Sequence, residues 1–320
     1  MRYNHPWTAA IVQWLERGSV EADVVGSNPT SRPNRALAAS RRGRSSPPVP
    51  RPPKYIAAAA SELAPAPAAL FVGTSGWAYP TWKPGFYPAN VPSRAFLHHY
   101  ASVLTAVEVN YTFRTLPTRP QLNGWLAATP TGFRFSFKAP QRITHFNRLE
   151  NCAGEIDRLF AALQPAAEAG KLGPILFQLP PNFKVDPARL HAFLENPSLQ
   201  AHPRPQLAFE FRHPSWFVDS IYDHLRASGA ALCIADTDDL STPDITTAPF
   251  RCYRLRRDGG YTPAELAGFA QRFTTLAQSA PVYVFFRHQD EPTGGLNAAA
   301  LLQLAAQIAP TARANPGAAR

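Results

Sequence analysis

Phe133-Arg134-Phe135-Ser136-Phe137-Lys138 places three phenylalanines at alternate positions with Arg134, Ser136 and Lys138 between them. Successive side chains of a β-strand point to opposite faces, so this strand has one wholly apolar face and one polar face. Two other apolar runs share the pattern: Val107 and Val109 oppose Glu108 and Asn110, and Phe209 and Phe211 oppose Glu210 and Arg212. Working outward, strand candidates fall at Phe71–Ser75, Ala106–Asn110, Phe133–Lys138, Pro174–Leu179, Gln206–Arg212, Ala231–Asp236, Phe250–Arg256 and Pro281–Arg287. Between most of them lie stretches with helical spacing of apolar residues: Ser93–Leu104, Asn151–Ala169, Pro187–Leu194, Ser215–Ser228, Pro263–Gln278 and Leu296–Ile308. Eight alternations predict an α/β protein, an eight-stranded parallel TIM-type (β/α) barrel over residues 70–310. It is expected to be irregular between the sixth and seventh strands, where Thr237–Pro249 is too polar and proline-broken for a full helix. An open doubly wound sheet is the alternative.

In a barrel the apolar set of each strand meets the surrounding helices, so Phe135, Phe177, Phe209 and Phe211 are expected to be buried there. The polar set then points inside, where charges are costly unless they pair or reach solvent. Most of these polar residues lie at the C-terminal ends of their strands, the end at which barrel active sites form. The expected ring is Glu108, Asn110, Lys138, Gln178, Glu210, Arg212, Asp236 and Arg254. Glu108 or Glu210 could serve as general base or acid, with Lys138 or Arg212 tuning the carboxyl and holding an anionic group. The competing reading is an ion-pair network that only fills the barrel mouth.

Loops add candidates. His145 and His213 follow strand ends, although His213 precedes Pro214 and could merely cap the helix beginning near Ser215; His288 follows the eighth strand. Ser75, Trp77 and Tyr79 open an aromatic segment with Trp82, Phe86 and Tyr87, which would either stack on a ligand or plug the barrel end. Gly73-Thr74-Ser75-Gly76 could offer backbone amides to phosphate, but it lacks the spacing and lysine of a P-loop. A divalent metal could be held by Glu108, Glu210, Asp236 and a histidine, yet no compact ligand motif is present and Lys138 and Arg212 would repel a cation. No cofactor is expected.

The chain has 320 residues and a formal charge of +10, split evenly between residues 1–70 and the much longer remainder, so the barrel is only mildly basic. Cys152, Cys233 and Cys252 have neither a paired framework nor metal-ligand spacing and are expected to be reduced. No apolar run is long enough for a membrane span and no signal pattern opens the chain, so the expected location is the cytoplasm, with no membrane partner. Residues 1–69 are expected to be a disordered leader, with the run Pro47-Pro48-Val49-Pro50-Arg51-Pro52-Pro53, and residues 311–320 a disordered tail. Within the leader, Val12-Gln13-Trp14 and Gly26-Ser27-Asn28-Pro29 resemble translated D and T arms of a transfer-RNA gene, and the 14 codons from Val12 to Gly26 match the separation of those arms. With Met1 the only methionine, the expected true start is a GTG or TTG codon at Val49, Leu63 or Leu70.

Seven segments are similar, in order and spacing, to a known family. They are Gly73-Thr74-Ser75-Gly76-Trp77-Ala78-Tyr79-Pro80, Val107-Glu108-Val109-Asn110-Tyr111-Thr112-Phe113, Phe137-Lys138-Ala139-Pro140, Ile143-Thr144-His145, Leu176-Phe177-Gln178-Leu179-Pro180-Pro181, Glu210-Phe211-Arg212-His213-Pro214-Ser215-Trp216 and Ala235-Asp236-Thr237. The chain resembles the YecE-like family, domain of unknown function 72, over about residues 71–308. The resemblance implies a TIM-type barrel and no settled activity. Tyr111 stands where the family commonly has a small residue, and Arg114 where it commonly has an aromatic.

Three functions follow from this reading. The first is an enzyme (hydrolase, lyase or isomerase) acting on a small anionic or polyhydroxylated, sugar-like substrate. The second is a nucleic-acid-binding or processing protein using Arg212, Arg254, Arg256, Arg257 and Arg287. The third is a non-catalytic ligand sensor. The sequence leaves oligomeric state open.

Overall fold

The structure, a computed structural model, describes residues 69–200, 205–288 and 290–313. The leader up to residue 68 and the tail from residue 314 lie outside the described residues, as does the question of the start codon.

Eight strands are present: β1 (Leu70–Thr74), β2 (Ala106–Val109), β3 (Arg134–Lys138), β4 (Leu172–Gln178), β5 (Leu207–Glu210), β6 (Ala231–Asp236), β7 (Arg251–Leu255) and β8 (Val282–Phe286). They form one parallel sheet in the order β1-β8-β7-β6-β5-β4-β3-β2. The ladder between β1 and β8, with Leu70 opposite Val282 and Thr74 opposite Phe286, joins the first strand to the last and rules out an open doubly wound sheet. Around the barrel run α1 (Phe96–Val103), α2 (Arg119–Ala127), α3 (Ala153–Glu168), α4 (Pro187–Leu194), the short α5 (Pro197–Gln200), α6 (Asp219–Ser228), α7 (Pro263–Leu276) and α8 (Thr293–Arg313). α8 runs past the expected boundary at residue 310. Each of α2, α4 and α7 begins with a capping side chain, Thr118, Asp186 or Thr262, and a proline in its first turn. The oxygen satisfies an orphan amide and the proline forfeits one that has no partner anyway.

Three helices depart from the sequence reading, the short α5 being absent from it. α2 is absent from it because its apolar stripe is thin, with Leu122 alone fully buried and Gly124 inside. The single helix expected at Ser215–Ser228 is instead a 3₁₀ turn, Pro214–Trp216, and then α6, because Val218 is extended. The irregular sixth connection is present. There Thr247 Oγ1 accepts from Leu232 N at 2.7 Å and donates to Ala230 O at 2.7 Å, while Ala235 N donates to Thr242 Oγ1 at 3.2 Å. Threonine side chains thus pair β6 backbone groups that no helix-bearing crossover serves.

The alternation read from sequence sets the layers. Phe135, Phe177, Phe209 and Phe211 are completely buried. The barrel interior is a second cluster that includes Phe71, Leu176, Ala208, Cys233, Cys252, Tyr283 and Phe285. All three cysteines are buried and free. Lys171, at the N-terminal end of the barrel, is also buried, and its ammonium donates to Leu126 O and Thr129 O at 2.7 Å each, tying off the carbonyl end of α2. No helix among the described residues is long and apolar enough to cross a membrane.

β1 and β2 close the barrel without a ladder of their own. Thr105 N donates to Val72 O at 3.1 Å, and Val72 N donates to Thr105 Oγ1 at 2.8 Å. Above them the buried Tyr100 hydroxyl accepts from Thr74 N at 2.7 Å and donates to Ala106 O at 3.0 Å, bridging the strands where a direct bond is missing. Gly73 permits the approach, since a Cβ there would lie 1.8 Å from Ala106 O. Replacing Tyr100 by Phe should therefore strand a buried amide and a buried carbonyl, costing about 1–3 kcal/mol in denaturant unfolding. A loss below about 0.5 kcal/mol would mean that the seam does not depend on this hydroxyl.

Candidate functional site

At the C-terminal end of the barrel three strands deliver charges to one point. Glu108 on β2, Glu210 on β5 and Arg254 on β7 are all buried to 1% exposure or less. The Arg254 guanidinium donates from Nε to Glu108 Oε2 at 2.9 Å and from Nη2 to Glu108 Oε1 at 2.7 Å, and from Nη1 to Glu210 Oε2. One planar fork thus bridges two carboxylates on strands that are not neighbours. Each carboxylate also accepts from other side chains. Ser75 Oγ donates to Glu108 Oε1 at 2.8 Å, Gln178 Nε2 donates to Glu210 Oε1 at 2.9 Å, and Arg212 Nε donates to the same Glu210 oxygen.

Burial alone would push both carboxyls up. Arg254, its hydrogen bonds and Arg256 outweigh that for Glu108 and hold it below the ordinary range. Arg254, Arg212 and Gln178 hold Glu210 down at about 2. Both are carboxylates at neutral pH.

Around this core stand cations with weaker partners. Lys138 Nζ donates to Gln178 Oε1 at 2.6 Å and lies 4.1 Å from the centre of the Phe113 ring. Thr112, buried, donates to Val109 O at 2.9 Å and Lys138 O at 2.7 Å, which fixes the turn carrying Phe113 against β3. Arg256 Nη1 donates to Ser75 Oγ at 2.7 Å. Among the described residues neither Lys138 nor Arg256 has a carboxylate within ion-pair distance. Burial, then Arg254 and Arg256, push Lys138 down to about 8 against the opposing pull of Glu108 and Glu210. Arg256 is pushed down to about 10 by burial and by Arg254. Its guanidinium stays protonated at neutral pH, so the shift records the cost of burying this charge beside Arg254.

The loops divide. Trp82, Phe86 and Tyr87 are buried, the last two against Phe96, His99 and Tyr100 of α1, whereas Trp77 and Tyr79 are half-buried. Trp77 meets Trp125 of α2 edge to face at 5.2 Å, and Tyr111 meets the same ring at 6.5 Å. Tyr79 stacks on His288 at 5.2 Å with planes 7° apart, and its hydroxyl donates to Ser75 O at 2.9 Å. Burial, then Arg256, hold His288 below the usual imidazole range, and its Nδ1 is buried without a hydrogen-bond partner among the described residues. Asn110 Oδ1 is in the same position. His145 lies edge to face with Phe113 at 4.9 Å, and burial and the charge of Lys138 lower it. It sits on a single π-helical turn, Arg142–Phe146, followed by left-handed backbone at Arg148, Leu149 and Asn151.

The structure places several of the expected residues elsewhere. Asp236 does not join the ring: Ala231 and Cys233 of β6 face the interior, so Asp236 has the opposite parity and pairs with Arg257 at 3.1 Å, which also reaches Glu265. Of the carboxylates named for a metal, Glu108 and Glu210 meet at Arg254 and Asp236 lies apart from them, and no group of three candidate metal ligands occurs among the described residues. His213 turns to its own chain, its Nδ1 accepting from Ser215 N at 3.2 Å as a cap on the Pro214–Trp216 turn. The Gly73–Gly76 amides are no phosphate cradle, for those of Thr74, Ser75 and Gly76 are committed to Tyr100 Oη, Phe286 O and Thr74 O. Arg256, Phe113, Trp125 and His288 were not in the expected ring. Arg256 carried a readable signal, since it shares the inward parity of Arg254.

Comparison with known proteins agrees with this architecture. The chain is 27% identical over 186 residues to the YunF protein of Bacillus subtilis, covering 56% of this chain and 64% of the relative. It is 29% identical over 151 residues to the YecE protein of Escherichia coli K12, covering 47% of this chain and 50% of the relative, so it matches only about half to two thirds of these proteins' lengths. A crystal structure of a DUF72 family protein from Thermotoga maritima superposes with a TM-score of 0.65 at 26% identity, covering 75% of this chain and 99% of that one. One from Enterococcus faecalis, at 20% identity, TM-score 0.58 and coverage of 75% and 97%, shares the fold. The profile of the family described as "Protein of unknown function DUF72" matches residues 71–319, and the chain, with its eight-stranded barrel, belongs to that family.

Proposed function

We propose that the barrel mouth is an enzyme active site for a small anionic substrate, held by Arg256 and Arg212 and exchanging a proton with Lys138. The observation that carries this reading is the charge imbalance. Lys138, Arg212, Arg254 and Arg256 face two carboxylates whose oxygens are already occupied. An ion-pair network that merely filled the barrel would be expected to balance. The surplus disfavours the ligand-free site, and a phosphate or carboxylate entering it relieves that cost while gaining charge-assisted hydrogen bonds. Glu108 and Glu210 serve in this reading as ionised anchors of Arg254 rather than as the acid and base, because each already accepts three hydrogen bonds and is held below the ordinary carboxyl range. Lys138 is the group poised to change charge near neutral pH. Trp77, Tyr111 and Trp125 would pack against the body of the substrate, which suits a sugar-like or planar compound.

Sulfate, which keeps its charge throughout the working range, is a suitable probe. Arg256→Met should weaken its binding about 10- to 100-fold, as expected for loss of a hydrogen bond to a charged group, read by calorimetric titration. Unchanged affinity would remove Arg256 from the site.

The pH dependence has a definite sign. Folded Lys138 titrates near 8 and an unfolded lysine near ~10.4, so the unfolded chain binds more protons between these values. The penalty from Lys138 is complete below about 8 and fades as pH rises through that window. Sulfate binding should accordingly weaken as pH rises through 8 and become flat there in Lys138→Met. An identical pH profile in both proteins would contradict the assignment.

Glu210→Gln separates anchor from catalyst. As an anchor, Glu210 leaves Arg254 and Arg212 undercompensated when neutralised, and unfolding free energy should fall by about 3–5 kcal/mol. Intact stability combined with abolished turnover would return Glu210 to the chemistry.

A further inference from the structure

The geometry points to Lys138 as a covalent nucleophile that forms an imine with an aldehyde or ketone whose phosphate or carboxylate group is held by Arg256 and Arg212. This deepens the anionic-substrate reading and rests on it. Lys138 closes β3 at the mouth and is only partly buried. Its neighbours are a carboxamide oxygen and an aromatic face, Gln178 Oε1 at 2.6 Å and the Phe113 ring at 4.1 Å. Neither requires the nitrogen to stay charged, as a carboxylate would. The two carboxylates that act on it from a distance are held by other donors, Glu108 by Arg254 and Ser75 and Glu210 by Arg254, Arg212 and Gln178.

Composition sharpens the point. Only five of the 32 basic residues are lysines, at positions 54, 83, 138, 171 and 184. The other cations of the mouth are arginines, which bind oxyanions as rigid forks and do not lose their proton. A lysine among them adds little to anion recognition, but it brings the one nitrogen able to exist as a free amine. The repulsive field of Arg254 and Arg256, with burial, favours that neutral form, the arrangement by which an amine nucleophile is activated beside another cation.

The step balances without an oxidant or reductant. The neutral amine attacks the carbonyl carbon, a C–N bond forms, and the former carbonyl oxygen takes up protons and leaves as water. The product is a C=N bond whose nitrogen carries one proton, so an ammonium and a carbonyl become an iminium and water with charge conserved. That iminium next to the substrate's own α-carbon is an electron sink for proton or carbon–carbon bond chemistry of the lyase or isomerase type.

The test is reductive trapping on the full chain. Protein is incubated separately with pyruvate, a 2-oxo acid, and with ribose 5-phosphate, an aldehyde bearing a phosphate, each with sodium borohydride, followed by intact mass and peptide mapping. The expected result is a single reduced adduct on the peptide containing Lys138, at least tenfold above labelling of Lys83 and Lys184. Its yield should rise with pH to a midpoint near 8, and added sulfate should suppress it. The probe that labels decides between carboxylate and phosphate as the recognised group. Mapping on the wild-type chain needs no variant to fold, and Lys138→Arg, which keeps the charge, should abolish the adduct. No enrichment at Lys138 with either probe, while sulfate still binds with an Arg256-dependent affinity, overturns the imine and leaves the anion site standing. Loss of sulfate binding as well would sink both.

Discussion

Arg254 is the constraint on which the upper half of the barrel depends. A guanidinium with 1% exposure is tolerable only if its charge is answered in place, and two carboxylates answer it from β2 and β5. Because β2, β5 and β7 are not sheet neighbours, this bridge crosses the interior and fixes strands that no ladder connects directly. The consequence runs outward. Once Glu210 is held, its second oxygen sets Gln178 and Arg212, Gln178 sets Lys138, and Glu108 sets Ser75 and with it Arg256. The positions of the groups proposed to meet substrate thus follow from one buried ion triad, with apolar layers of Leu176, Cys233, Cys252 and Phe285 beneath it excluding water.

Much of this arrangement was legible from alternation alone. Parity placed Glu108, Lys138, Gln178, Glu210, Arg212 and Arg254 inside, and it placed Phe135, Phe177, Phe209 and Phe211 among the helices, because a strand with one phenylalanine face has a single way to lie in a barrel. Asp236 failed for an instructive reason. It was assigned by its place at a strand end, whereas β6 turns Ala231 and Cys233 inward and leaves Asp236 to Arg257. Applied consistently, the same rule finds Arg256. Pairing partners were beyond reach, since which carboxylate meets which guanidinium depends on barrel shear and side-chain length rather than on sequence spacing.

The loop residues were hidden for a different reason. Phe113 and Trp125 lie outside the strand period, and Trp125 sits on a helix whose apolar stripe is almost a single leucine, whereas His288 is a candidate by its place after the eighth strand and only its stacking partner is not legible there. Their contacts are with one another's neighbours: Phe113 with Lys138 and His145, Trp125 with Trp77 and Tyr111, His288 with Tyr79. A rim of this kind is assembled by tertiary packing, so no local pattern could declare it. Family membership, shown over residues 71–319, supports the fold and leaves the chemistry to be argued from the site.

That chemistry turns on a competition between two terms. Burying Lys138 and Arg256 beside Arg254 destabilises the ligand-free protein, as the downward pressure on both groups records. A site selected for stability alone would place a third carboxylate there, and Asp236, only one residue from the inward-facing parity, instead pairs with Arg257, which it shares with Glu265. Among the described residues no carboxylate pairs with Lys138 or Arg256, and in the reading proposed above an entering oxyanion answers the positive excess. An oxyanion matches it in charge and in the directions offered by Arg256 and Arg212, and a bound oxyanion would also screen Lys138 from its cationic neighbours. The ligand would thus raise the proton affinity of the same amine whose free form it needs, so the order of events matters: attack must follow proton loss within the bound complex, with the leaving oxygen as the natural recipient of the proton.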